Sequence, residues 1–416
     1  MARVASRPPE PRSLGAQFRD VRSMTEWLAC PLTAEDQSIQ SMPDASPTKW
    51  HLAHTTWFFE TVVLLPYCEG YRAFNPKFHY LFNSYYEALG ARHPRPQRGM
   101  LSRPSAREIL QYRDHVDAAL EKFIPKITDA RIAHLVTLGL HHEQQHQELI
   151  LTDIKHAFFQ NPLHPAYVAH RLQTVRHAPA MTWIDRPGGV VEIGHGGEGF
   201  AFDNEGPRHQ VLLQPYRIAS RPVTCNEYRN FIEDGGYARP EFWLSDGWAL
   251  LQNHGWQAPL YWLEDGRMFT LNGLRPVSPD EPVSHVSLYE AAAYAAWAGK
   301  RLPTEFEWEA AAADRPVEGN LLDPMNVHPH SASGEGLIQL FGDVWEWTRS
   351  SYDPYPGFKP FDGTLAEYNG KFMVGQNVLR GGSCATPADH IRATYRNFFP
   401  ASARWQFSGI RLAEDA

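Results

Sequence analysis

The sequence changes character near residue 165, and this change constrains the fold more than any other feature. Residues 14–160 contain long segments with apolar residues at helical spacing, whereas later residues mix glycine, proline and tryptophan with short apolar runs. A chain of 416 residues also exceeds the size of one ordinary core. We therefore expect a helical domain at residues 14–165 and an α+β domain at residues 175–416.

Four segments of the first domain are predicted to be helices. Two have start signals: Ser46 followed by Pro47 is a cap with proline at the first helical position, and Ser105 with Glu108 makes a capping box. In the first segment the spacing places Trp27 on the buried face. Four such helices predict a four-helix bundle, whose interior can hold metal sites. The segments are residues 17–29, 46–65, 105–123 and 131–159.

The second domain is predicted to hold few helices. Two are clear, one beginning at the capping box of Ser287 with Glu290 and one at that of Thr304 with Glu307. Short strands and long ordered loops account for the rest.

Composition excludes several classes of protein. The formal net charge is -8 and no basic run occurs, which argues against nucleic acid as a partner. No apolar stretch approaches the roughly 18 residues of a membrane span, and the N-terminus lacks the apolar region of a signal peptide. The 4 cysteines are scattered without a CxxC pair, as in a protein with reduced thiols. We expect a cytoplasmic protein without membrane contact.

Histidines at helical spacing predict a metal site. His142 and His146 are four residues apart and share one helical face, and His54 lies on the inward stripe of the second helix. His51 is displaced from that stripe and is the weaker candidate, while His141 is expected at the solvent-exposed surface. Three imidazoles leave coordination positions open, which is typical of catalysis, and they suit zinc, iron, nickel or copper. The alternative from spacing alone is a solvated polar helix face.

Longer motifs carry a resemblance to a known family. The stretch WHLAHTTWFFE and the pattern H-x3-H-x-E at His142, His146 and Glu148 resemble the DinB-type iron domain of the ergothioneine-biosynthetic sulfoxide synthases, the EgtB family. Motifs of the second half resemble the formylglycine-generating-enzyme (sulfatase-modifying factor) fold, which is related to C-type lectins. These motifs are GKRLPTEFEWEAA (299–311), GDVWEWT (342–348), VLRGGSCAT (378–386) and FSGIRLA (407–413).

The resemblance implies a non-heme Fe(II) held by His54, His142 and His146. Its open positions would take the thiolate of cysteine or γ-glutamylcysteine, the imidazole of hercynine, and O2. The implied reaction joins sulfur to C2 of that imidazole and oxidises the sulfur, giving hercynylcysteine sulfoxide.

The resemblance also assigns the hercynine pocket. Gln145 and Asn397 match the pair that binds the hercynine carboxylate, through amide donors. Phe398 and Phe399 are aromatic candidates for the trimethylammonium group. For each aromatic residue the alternative is core packing.

Arg95 and Arg98, in R-x-x-R spacing, match the pair that binds the thiol substrate, since a guanidinium fork fits a carboxylate. Phe399 stands where relatives have an aspartate in the γ-glutamyl pocket, which favours free cysteine as the donor. Loop arginines without this resemblance are more often solvated.

One departure concerns the proton donor. Actinobacterial members use a tyrosine shortly before the RGGS stretch, but this sequence reads NGKFMVGQNVLRGG there. Tyr85 and Tyr86 in FNSYYEALG instead resemble the second-type subgroup, in which a bundle-domain loop supplies tyrosines. A phenol is protonated at neutral pH and can serve as a general acid.

Other functions stay open from the sequence. Formylglycine-generating chemistry needs two cysteines beyond the GGS stretch, and only Cys384 is present, which we expect to be a buried small residue. The alternatives are a DinB-type metal-dependent thiol transferase, a related synthase acting on histidine or a selenium donor, and a lectin-like binding module with a structural metal. The ovothiol enzymes, which act on histidine, usually carry a methyltransferase domain, and none is expected here.

Overall fold

The computed structural model describes residues 12–169 and 177–416. Long helices dominate the first part of the chain, and short strands with short helices make up the second. Within the described residues the α-helices are α1 (Leu14–Ala29), α2 (Thr48–Phe58), α3 (Leu65–Tyr67), α4 (Phe78–Phe82), α5 (Ala106–Phe123), α6 (Ala130–Gln160), α7 (Cys225–Glu233), α8 (Ser245–His254), α9 (Leu288–Trp297) and α10 (Glu305–Ala312).

The first domain is a bundle of α1, α2, α5 and α6, in which α1 packs on α6 and α2 packs on both α5 and α6. An ion-pair network lies in its interior. Glu143 on α6 accepts from Arg22 Nη1 at 2.7 Å and from Arg113 Nη2 at 3.1 Å, and all three side chains are buried. Because two arginines from different helices share one carboxylate, the network fixes α1 and α5 against α6. The predicted four-helix bundle is confirmed.

Helix α2 lies at the centre of this bundle, and all eleven of its residues are buried. It begins at Thr48, two residues after the expected cap Ser46, and continues as a π-helix over Phe59–Leu64. Because α2 has no exposed face, the reason given for ranking His51 below His54 is wrong, although the ranking agrees with the histidine cluster, which contains His54 and not His51. On α1 the expectation for Trp27 is also wrong, since 40% of its side chain is exposed.

The second domain is built on two main sheets and three two-stranded pairs. The antiparallel sheet β1-β4-β13 holds the first and last strands of the domain, and the sheet β11-β10-β9-β12 holds β12 parallel to β9. The strands are β1 (Trp183–Arg186), β2 (Gly189–Ile193), β3 (His209–Leu213), β4 (Tyr216–Ala219), β5 (Arg267–Thr270), β6 (Gly273–Pro276), β7 (Gly319–Asn320), β8 (Phe341–Gly342), β9 (Trp345–Ser351), β10 (Gln376–Arg380), β11 (Asn397–Pro400), β12 (Ser408–Gly409) and β13 (Ala413–Asp415).

Helices α9 and α10 cover the four-stranded sheet, and both begin at the capping boxes expected from the sequence. Under α10, the buried Arg411 pairs with Glu346 of β9 at 2.7 Å. The predicted α+β architecture is confirmed, although its expected first residue, 175, lies outside the described ranges. No helix in those ranges is long and apolar enough to cross a membrane.

Candidate metal centre

Three histidines converge where α2 meets α6. His54 comes from α2, and His142 and His146 come from successive turns of α6. One ring nitrogen of each lies within 4.8 Å of those of the other two. Their exposed fractions are 0%, 1% and 9%, in that order. The spacing argument thus brought together three side chains that are far apart in sequence.

The ring nitrogens fit a metal ion. His54 Nδ1 donates to the Phe82 carbonyl at 2.6 Å, which leaves a buried Nε2 without a protein partner. Both nitrogens of His142 are buried and unpartnered as well. Burial lowers the pKa of His142 to about 3 and holds those of His54 and His146 well below the usual histidine value. Three neutral imidazoles with free lone pairs are the donor set of an open transition-metal site.

His146 has a different environment from the other two. Its Nδ1 lies 2.8 Å from Nδ1 of His51, whose Nε2 lies 3.0 Å from Oδ2 of Asp153. Both nitrogens of His51 are therefore occupied by protein contacts. His51 lines the same cavity, and it does not belong to the cluster of three histidines.

A cavity of about 330 Å³ opens beside the three histidines, between the two domains. All six residues expected to bind substrates line it, as does Tyr85. Those six residues are Arg95, Arg98, Gln145, Asn397, Phe398 and Phe399.

One end of the cavity is cationic. The Arg98 side chain is 3% exposed and lies over the Trp50 ring at 3.4 Å, and it donates to the hydroxyls of Ser46 at 2.9 Å and Ser84 at 3.1 Å. Burial lowers the pKa of Arg98, and nearby Arg95 lowers it further. Since no carboxylate in the described structure pairs with this buried guanidinium, this end of the cavity is suited to an anion.

The other end of the cavity is built around an amide. Gln145 accepts from Tyr368 Oη at 2.7 Å and donates to Tyr395 Oη at 2.8 Å. Asn397 uses its Oδ1 to accept from the next backbone N–H, which leaves its Nδ2 as a donor. The aromatic Phe398 stacks on Tyr352 at 4.0 Å. This end therefore offers amide donors framed by aromatic rings.

Comparisons with known proteins match both domains of the chain. A DinB superfamily model matches residues 17–150, and a sulfatase-modifying factor enzyme 1-like domain model matches residues 169–323 and 317–416. The hercynine oxygenase of Mycolicibacterium thermoresistibile is 34% identical over 98% of this chain and 96% of its own length. That of Mycobacterium tuberculosis is 34% identical over 90% of this chain and 92% of its own length.

The chain belongs to the hercynine oxygenase family. It is accordingly an oxygenase enzyme, and the resemblance inferred from its motifs is confirmed. The Ergothioneine biosynthesis protein 1 of Schizosaccharomyces pombe is also similar, at 30% identity over 52% of this chain and 28% of its own length.

The two expected tyrosines occupy different positions. Tyr85 lines the cavity and stacks on Tyr86 at 4.7 Å, with Phe372 of the second domain 5.1 Å away edge-on. Tyr86 lies beneath it against Trp57, with its side chain 0% exposed and its hydroxyl unpartnered. Burial raises the pKa of both phenols, so both are protonated at neutral pH.

Sequence reasoning missed several residues of the site. Tyr368 precedes the NGKFM stretch that was searched for a tyrosine, and its ring lies 6.0 Å from that of His142. The expectation that His141 lies at the surface is wrong, since its ring stacks on Phe200 at 4.0 Å and its Nδ1 lies 3.0 Å from His390. Only the contact between the domains places these side chains together, and spacing within one segment carries no signal for it.

Proposed function

We propose that this chain is a non-heme Fe(II)- and O2-dependent sulfoxide synthase that joins the sulfur of cysteine or γ-glutamylcysteine to C2 of hercynine. Membership of the hercynine oxygenase family supports the acceptor. The observation that carries the proposal is one cavity that is lined by His142 and His146 of the three-histidine cluster and that also has an anion-binding end and an amide end. Neither a metal-dependent thiol transferase nor a lectin-like binding module would need the histidine cluster, the anion-binding end and the amide end together.

His54, His142 and His146 would hold the iron, which when bound would supply O2 activation and an anchor for the thiolate. The chain's own residues bind and orient the substrates. Arg98 and Arg95 bind the carboxylate of the thiol substrate, and this placement directs its sulfur toward the histidines.

Hercynine is placed at the amide end. Gln145 and Asn397 donate to its carboxylate, while the aromatic residues nearby, among them Phe398, face its trimethylammonium group. Fixing both ends of hercynine orients the C2 atom of its imidazole toward the sulfur. Alignment of the reacting atoms is the main contribution that such a pocket makes.

We assign proton donation to the tyrosine pair, with Tyr85 as the phenol that faces the substrates. Its Oη is protonated at neutral pH because burial raises its pKa. Tyr86 packs directly behind the Tyr85 ring. The donor phenol thus comes from the bundle domain, as in the second-type subgroup.

Free cysteine is the proposed thiol. Phe399 packs on Trp405 at 5.7 Å and narrows the cavity with apolar surface, where a γ-glutamyl group would need a polar partner. The electron balance is closed: C–S bond formation and sulfur oxidation each release two electrons, and O2 accepts four, placing one oxygen on sulfur and one in water.

Product mass tests the proposal. Iron-loaded protein given hercynine with equal cysteine and γ-glutamylcysteine should yield hercynylcysteine sulfoxide, which is both substrates plus one oxygen less two hydrogens. A thiol adduct formed without loss of hydrogen and without consumption of O2 would favour the thiol transferase. Turnover of histidine or a selenium donor in place of these substrates would favour the related synthases.

A further inference from the structure

A chain of three buried side chains that line the cavity connects His146 through His51 to the carboxylate of Asp153. Asp153 is 5% exposed and His51 is 2% exposed. Asp153 Oδ2 lies 3.0 Å from His51 Nε2, and His51 Nδ1 lies 2.8 Å from His146 Nδ1. The backbone N–H of Ser46 donates to the same Asp153 oxygen at 2.8 Å, which fixes the carboxylate.

The proton positions along this chain follow from the carboxylate. An ionised carboxylate only accepts hydrogen bonds, so His51 Nε2 carries a hydrogen. With that hydrogen on Nε2, His51 offers its Nδ1 as the acceptor that faces His146 Nδ1–H at 2.8 Å. His146 is thereby left with its lone pair on Nε2. The opposite tautomer would place a hydrogen there and abolish a ligand.

We infer that Asp153 and His51 are positioning residues that hold His146 in its metal-binding tautomer and orientation. This inference rests on the metal centre of the proposed function. Partners behind a histidine ligand fix its ring and raise its basicity, and their loss typically weakens metal binding about 10–100-fold. Phe82 sets the tautomer of His54 in the same way through its carbonyl.

The pair also reaches toward the anion-binding end of the cavity. Ser46 holds Asp153 through its backbone N–H and accepts from Arg98 through its hydroxyl. Asp153 Oδ1 is buried and unpartnered. Ser46 therefore contacts both Asp153, which supports His146 through His51, and Arg98, the proposed thiol-binding arginine.

Metal affinity tests this inference without turnover. Anaerobic Fe(II) and Co(II) titrations against a competing chelator should give about 10–100-fold weaker binding for Asp153→Asn and for His51→Leu. His51→Gln should keep most of the affinity, because its amide can accept from His146 and donate to Asp153. The matched control is His115→Asn on α5, whose imidazole contacts the Arg72 carbonyl.

Proton NMR of the Co(II) protein adds a readout that loss of packing would not move. Each histidine ligand with a ring N–H gives an exchangeable, hyperfine-shifted signal, and one of them should shift or broaden selectively in Asp153→Asn. Unchanged affinity and an unchanged spectrum in both Asp153→Asn and His51→Leu would overturn the inference. A wild-type protein that binds neither metal would instead overturn the metal centre, and the inference with it.

Discussion

The carboxylate of Glu148 accepts a hydrogen bond from the indole N–H of Trp345 at 2.9 Å. Glu148 lies on α6 just beyond His146, and Trp345 belongs to the GDVWEWT motif of the second domain. The same carboxylate also accepts from the hydroxyls of Ser383 and Thr386, in the VLRGGSCAT motif. The acidic residue of the H-x3-H-x-E pattern therefore docks the second domain onto the helix that carries two of the three histidines.

Replacing Glu148 by alanine should lower the free energy of unfolding by about 3 kcal/mol, because the Trp345 N–H and two hydroxyls lose their acceptor in a buried interface. Urea denaturation measures the change. Glu148→Gln is the control, since its amide keeps an acceptor and can donate to Thr386, so its loss should be under about 1 kcal/mol. Equal losses in the two variants would contradict the docking role.

Replacing Arg98 by methionine should weaken binding of the thiol substrate without lowering the stability of the protein. We expect the KM for the thiol to rise about 100-fold, because the carboxylate of the bound thiol loses the guanidinium with which it forms a buried ion pair. The KM for hercynine should stay unchanged. The unliganded variant should be at least as stable as the wild type, since a buried cation without a carboxylate is removed. Steady-state kinetics and urea denaturation measure the two effects, with the exposed Arg107→Met as the control.

The stacked tyrosines should respond differently to loss of a hydroxyl. Tyr85→Phe removes the proposed proton donor, and the rate of sulfoxide formation should fall by at least about 100-fold. Tyr86→Phe removes a buried hydroxyl with no partner, so the free energy of unfolding should stay the same or rise. Product assays and denaturation of both variants test the pair; full sulfoxide yield in Tyr85→Phe would exclude it as the donor.

Lys155 should make stability depend on pH. It is fully buried on α6, its Nζ lies 2.6 Å from His285 Nε2, and burial lowers its pKa to about 7. In the unfolded chain a lysine takes up its proton below about 10.4. Between these two pH values the unfolded chain binds more protons than the folded protein does. The free energy of unfolding therefore rises as pH rises through this range, and this gain is lost as pH falls to about 7.

The replacement Lys155→Met should flatten this dependence. We expect the wild-type free energy of unfolding, relative to that of the variant, to rise by up to about 1.4 kcal/mol per pH unit between pH 7 and 10. The neighbours do not titrate against it below pH 8, because burial holds the pKa of His285 well below and that of Cys384 well above their usual values. Parallel curves for the two proteins would contradict a buried lysine with a lowered pKa.

Much of the fold followed from local sequence signals. The capping boxes and apolar periodicity are properties of single segments, and they located α5, α9 and α10 correctly. The i, i+4 spacing of His142 and His146 is equally local, and only His54 required an assumption about which helix face points inward. His54 belongs to the cluster of three histidines and His51 does not, although every face of α2 is buried and burial alone would not separate the two.

The rest of the site depends on contacts that no segment encodes alone. The two tyrosines that hold Gln145 and the docking by Glu148 arise where the second domain meets α6. Such contacts join residues about two hundred positions apart, and neither periodicity nor turn chemistry specifies them. Family resemblance supplied the roles of Arg98 and Gln145, but not their partners.

Oxygen uptake tests the proposed reaction most directly. Protein reconstituted anaerobically with Fe(II) and then mixed with O2 in an oxygen electrode should bind one iron per chain. It should consume one O2 per sulfoxide formed, and only when hercynine and cysteine are both present. Absence of O2 uptake when iron, hercynine and cysteine are all present would contradict the oxygenase mechanism.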